Sequence, residues 1–118
     1  MSLDPCAKQN LRVKRGTLLR MEIDCVDKDG NPLDMTAGTC RMVARASYGG
    51  TVLFEADSEA EPATITLASG LVTVLVTVPA DTQLVEAGVY DIIWTGPDGP
   101  ECIGEGSITV TDLATTPA

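Results

Sequence analysis

The stretch Leu71 to Gly96, LVTVLVTVPADTQLVEAGVYDIIWTG, decides how the rest of the chain is read. Val72, Val74, Val76 and Val78 fall on one face and Thr73 and Thr77 on the other, the two-residue period of a strand. Pro79 has no amide hydrogen to give a ladder and ends the run. Ala80 to Leu84 supplies one turn, in which Asp81 is placed to accept backbone amide hydrogen bonds. Gly88 is expected to permit the reversal that returns Val89 to Thr95 as a second strand. On that strand Tyr90, Ile92 and Trp94 share a face. No catalytic or ligand constellation is visible here, so the stretch reads as scaffold, with Tyr90 and Trp94 in the core.

The same grammar extends in both directions. Leu11 to Lys14 alternates apolar and basic residues up to Gly16, a pattern suited to a sheet edge with its cations outside. From Thr17 to Val26, Leu19, Met21, Ile23 and Cys25 point one way and Arg20, Glu22 and Asp24 the other. Asp27-Lys28-Asp29-Gly30-Asn31-Pro32 is a turn, and Leu33 to Gly38 bends the chain again. Thr39 to Ser47 is a strand with Cys40, Met42, Ala44 and Ala46 inward. Tyr48-Gly49-Gly50 turns it into Thr51 to Ala56, where Val52 and Phe54 are the expected core residues. After the acidic loop Asp57 to Glu61, Ala63 to Leu67 is a short strand. Beyond a second tight turn at Gly96 to Pro100, Cys102 to Thr111 is the last strand. Its Gly104 and Gly106 mark a bulge or a close backbone approach.

Seven to eight short strands at roughly ten-residue spacing predict an all-β fold, a single antiparallel sandwich over residues 11–112. Residues 1–10 read as an arm and residues 113–118 as a polar tail. Tyr90, close behind Gly88 on the penultimate strand, resembles the tyrosine corner of immunoglobulin-type sandwiches, whose hydroxyl bonds upstream backbone. The cysteine expected two residues after it is replaced by Ile92, so the sandwich is read as Ig-like without its disulfide pin.

Composition bounds the function. With 118 residues the chain is one domain, able to bury roughly two-thirds of its unfolded surface. No apolar run approaches the ~20 residues of a membrane helix. Net charge is −9, unevenly spread: residues 1–45 hold eight basic and six acidic side chains, +2, and residues 46–118 hold none and eleven, −11. That balance repels a phosphate backbone and argues against nucleic-acid binding. It leaves two readings, a solvated surface or a polarity in which a basic edge meets an acidic surface on a neighbour. Cys6, Cys25, Cys40 and Cys102 contain no CxxC and permit two disulfides in three connectivities; reduced structural thiols are the favoured reading, with Cys6 the most exposed.

Catalytic and ligand patterns fail one by one. The chain has no histidine, which removes Ser-His-Asp and Cys-His arrangements. Asp27 to Asp34 has oxygen ligands at alternate positions like a calcium loop, but the twelfth position is Gly38 where a bidentate Glu is required. Glu55, Asp57, Glu59 and Glu61 read as a solvated turn. No glycine pair matches a phosphate loop. No cofactor or metal is therefore expected, and the chain is not read as an enzyme.

Several segments, taken in order, resemble the small Ig-like β-sandwich domains of tailed-phage and prophage structural proteins, such as baseplate components. They are Arg15-Gly16-Thr17, Asp29 to Thr36 ahead of Arg41-Met42, Ala80 to Leu84 before Gly88-Val89-Tyr90-Asp91, Pro97-Asp98-Gly99, and Gly106 to Val110. The resemblance implies a non-enzymatic virion module, in the tail, baseplate or head-tail region. Such a module is made in the bacterial cytoplasm and assembled into the particle through contacts with other virion proteins and its own copies, with no nucleic acid and no membrane. Expected contact residues are a basic edge of Arg12, Lys14, Arg15 and Arg20 and an acidic group of Glu55, Asp57, Glu59 and Glu61. A rival reading is an extracellular carbohydrate- or calcium-binding sandwich module, which calls for an exposed Trp94 or Tyr48.

Overall fold

Each alternating run becomes a strand. The computed structural model describes residues 7–115, and the expectation for Cys6 lies outside them. The strands are β1 (Ala7–Lys8), β2 (Leu11–Lys14), β3 (Leu18–Asp24), β4 (Thr39–Arg45), β5 (Val52–Asp57), β6 (Ile65–Ala68), β7 (Leu71–Thr77), β8 (Val85–Gly96) and β9 (Gly99–Thr111). The only helical element among the described residues is a 3-10 turn, Met35–Ala37, whose Asp34 cap accepts the Thr36 amide at 3.1 Å.

Two sheets face each other. One has the order β1-β9-β8-β4-β5, with β2 also pairing β9; the other is β3-β7-β6. The set β9-β8-β4-β5 against β3-β7-β6 is the strand arrangement of an immunoglobulin-type sandwich with one added strand on the larger sheet. Between the sheets lie Met42, Ile65, Val72, Val74, Ile92 and Ile108, all fully buried. Each such side chain contributes about 1.5–3 kcal/mol by leaving water. The face expected on β7 (Val72, Val74, Val76) and that on β8 (Tyr90, Ile92, Trp94) are both buried.

The structure departs from the sequence reading in specific places. There are nine strands rather than seven to eight among the described residues, and the larger sheet is mixed, because β1 and β2 run parallel to β9. Strand β1 thus lies inside the stretch expected to be an arm. On β5, Val52 is exposed and Leu53 is buried beside Phe54. Ala44 faces Phe54 while Arg45 faces Val52, so Leu53 is an extra residue, and this bulge turns the alternation over. A second irregularity sets Ile92 against Gly104 and Ile93 against Cys102, leaving Ile103 as the extra residue and directing it into the core.

Gly88 reverses nothing. It lies within β8 at a register shift, and a Cβ there would meet the Arg45 carbonyl at 2.8 Å and Ile108 at 2.9 Å. The Tyr90 hydroxyl does not close a tyrosine corner either; it donates to the Gln9 carbonyl, 81 residues upstream. Gly106 makes this possible, because any Cβ at that position would collide with the Gln9 carbonyl. Asp81 is exposed, and the turn it was expected to cap is tied by its buried neighbour Thr82, whose amide and hydroxyl both donate to the Pro79 carbonyl, at 3.1 and 2.6 Å.

Candidate functional site

The expected basic edge is not one surface. On β2, Leu11 and Val13 are buried, so Arg12 and Lys14 stand on the outer face of the larger sheet. On β3, Leu19 and Met21 are buried, so Arg20 stands on the outer face of the smaller sheet, across the sandwich. Arg20 pairs with Glu22 of its own strand at 3.0 Å. Arg15 is committed internally. Its Nε and one terminal nitrogen grip both carboxylate oxygens of Asp112 at 3.1 and 2.8 Å, and the other terminal nitrogen donates to the Thr82 carbonyl at 3.3 Å. The hydrogen bond from Arg15 lowers the Asp112 pKa, and the Leu113 amide adds to the effect. Nothing near Arg15 in sequence announces Asp112, which only the pairing of β2 with β9 brings alongside. Arg12 and Lys14 are the cations of this group on the outer face at that edge.

The acidic group lies at the opposite edge of the larger sheet, on and after β5. Glu55 pairs with Arg41 across the β4-β5 ladder. The Asp57 carboxylate accepts the Glu59 amide at 2.8 Å, and its own amide donates to the Thr64 hydroxyl oxygen at 2.8 Å. Glu59 and Glu61 are exposed in the following loop. A groove of about 440 Å³ crosses the outer face here, its floor made by half-buried Val43 and Ile93 and its rim by Arg41, Asp57, Glu59 and Asp91. Strand pairing also sets Asp91 beside Val43, a neighbour that the sequence period did not single out.

The edges differ in how open they are. Thr64 occupies the outward backbone groups of Asp57 on β5, and β2 is only four residues long. Strand β3 runs seven residues in unbroken register with β7, from Leu18 opposite Thr77 to Asp24 opposite Leu71. The Val78 amide bonds the Thr17 carbonyl and the Cys25 amide bonds the Gly70 carbonyl, both at 2.9 Å. Bonded pairs alternate in an antiparallel ladder, so odd-numbered residues bond β7. Leu18, Arg20, Glu22 and Asp24 aim their amide and carbonyl groups away from the sheet. The period of the sequence shows the faces of this strand but not that, among the described residues, no strand pairs its far side.

The aromatic residues divide. Trp94 is buried, and its indole N–H donates to the Met35 carbonyl at 3.0 Å, which engages the ring's polar edge inside the domain. Tyr48, at the β4-β5 hairpin, is 86% exposed. In the Asp27 turn, the Asp27 carboxylate accepts the amides of Asp29 and Asn31, each at 2.9 Å, so one oxygen is used in closing the loop.

The cysteines also divide. Cys25 and Cys40 are free, buried thiols, with burial pushing them up to about 11 and about 12. Cys102 is a disulfide cysteine, which corrects the reading of all four as reduced. No protein-family model matches this chain, and no curated protein matches it at a significant level.

Proposed function

We propose that this domain is a non-enzymatic structural module of a phage or prophage virion, a tail, baseplate or head-tail component that works through contacts with other virion proteins and its own copies. The observation that carries this reading is the placement of charge on one sheet. Arg12 and Lys14 stand at its β2 edge, and Glu55, Asp57 and the Glu59–Glu61 loop stand at its β5 edge. Head-to-tail contact between copies, or with a neighbour of like design, brings opposite charges together and sets register and approach more than affinity. The Ig-type strand order and the succession of turn motifs support the same reading. Arg15 leaves the contact set, since its donors are used within the chain, and Arg20 belongs to the other face.

Two measurements test it. Mass spectrometry of gradient-purified particles from an induced host is expected to find this chain in stoichiometric amount; particles without it overturn the virion reading. Reversing Arg12 and Lys14 to Glu is expected to weaken incorporation, with weaker salt dependence. Unchanged incorporation removes that edge from the proposal.

A further inference from the structure

We propose that strand β3 is a self-pairing edge, on which two copies of this chain join about a two-fold axis at Met21 into one continuous sheet of order β6-β7-β3-β3-β7-β6. The inference rests on the reading of the domain as an assembly module and names a surface which that reading does not use. The groups that point off the edge belong to Leu18, Arg20, Glu22 and Asp24, and the same four side chains lie on the outer face. With Met21 on the axis, Arg20 of one copy stands opposite Glu22 of the other, twice by symmetry, and Leu18 stands opposite Asp24. All four are residues whose backbone is free to exchange both ladder bonds.

The neighbouring two-fold registers are worse. An axis at Arg20 sets two guanidinium groups opposite each other, and an axis at Glu22 sets two carboxylates opposite each other. The Glu22 axis also brings Arg20 opposite Asp24 twice, but only the Met21 axis gains opposite-charge pairs with no like pair between them. The Met21 register is thus the one that matches opposite charges without also facing like charges. Of the usual protections the edge carries charge alone, at Arg20, Glu22 and Asp24; among the described residues it has no bulge, no proline and no further strand paired along it. The Arg20–Glu22 pair within one strand is exposed, with 64% and 52% of the side-chain surfaces open, so exchanging it for the cross-copy pair gives up little.

The test is a charge swap read by size exclusion with light scattering over a range of concentrations. The unaltered chain is expected to pass from monomer to dimer as concentration rises. Arg20→Glu and Glu22→Arg each place like charges opposite one another and are expected to weaken the dimer about tenfold or more. The double variant R20E/E22R restores opposite charges in the same register and is expected to dimerise within about threefold of the original, a factor worth well under 1.4 kcal/mol. A chain that stays monomeric at every concentration overturns the proposal. So does a double variant no better than the singles, and so does a dimer indifferent to all three changes. Circular dichroism and the urea midpoint of each variant verify folding. The virion reading fails separately: a chain that dimerises with swap rescue but is absent from particles keeps the edge and loses the virion. A monomer found in particles does the reverse.

Discussion

The β5 edge and the β3 edge are built on opposite principles. At β5 the ladder is broken by the extra residue Leu53, and the chain doubles back so that Thr64 takes the outward groups of Asp57. At β3 the ladder runs straight for seven residues and the outward groups carry a self-matching charge pattern. A sheet edge that must stay solitary is bent and covered, while an edge that is to pair is long and regular. The difference teaches that the two sheets, though they share one core, are unequally finished.

The strongest way to break the comparison is to show that the sheets are not one unit. Ile92 in the larger sheet and Val74 in the smaller are both fully buried. Ile92→Ala is expected to lower stability by about 3–4 kcal/mol and Val74→Ala by about 2 kcal/mol, from lost burial and residual cavity. Both should shift a single urea transition with an unchanged slope. Two transitions, or a change confined to one sheet's signals, separate the sheets.

A smaller effect tests how the larger sheet gains its extra strand. Gly106→Ala places a methyl against the Gln9 carbonyl and is expected to cost about 1–3 kcal/mol as the chain gives way. Amide exchange should accelerate at Gln9, whose N–H bonds the Glu105 carbonyl at 3.0 Å, and not in β3 or β7. Tyr90→Phe removes one bond to the same carbonyl and is expected to cost about 1 kcal/mol, with the same local signature. Protection unchanged at Gln9 in both variants detaches that strand from Tyr90.

The buried thiols sharpen the comparison by titration. Their folded pKa values lie above the ordinary 9.0, so the native state holds protons that the unfolded chain releases. Their contribution is full below about pH 9 and is lost as pH rises toward 11 and then 12. Cys25→Ala and Cys40→Ala should each flatten that alkaline decline by a similar amount, as urea midpoints between pH 8 and pH 11 will show. A slope unchanged from the unaltered chain in both variants places the decline elsewhere. The smallest effect is at Asp112, whose pKa is depressed by Arg15. Its contribution is present above the unfolded carboxylate range near pH 4 and fades as pH falls below it. Arg15→Met should weaken this acid dependence, leaving the part held by the Leu113 amide, and speed amide exchange at Arg15, whose N–H bonds the Thr111 carbonyl at 3.0 Å. No change at either readout removes the clasp.

The sequence by itself determined the fold class, because alternation is a local property. Val72, Val74 and Val76 or Tyr90, Ile92 and Trp94 can be seen to share a face with no knowledge of partners, and such faces close on one another. Turns at Asp27–Pro32 and Gly96–Pro100 were legible for the same reason, since glycine and proline act on their own dihedrals. What depended on distant partners was not legible. The inversion at Leu53 follows from a register with β4, and the role of Gly106 from a carbonyl 97 residues away. The capture of Arg15 by Asp112 needs a parallel pairing that no local pattern encodes. Charge was visible as composition, but only the two-sheet arrangement put Arg12 and Arg20 on opposite faces. The openness of β3 is likewise tertiary, because an edge is defined by what does not lie beside it.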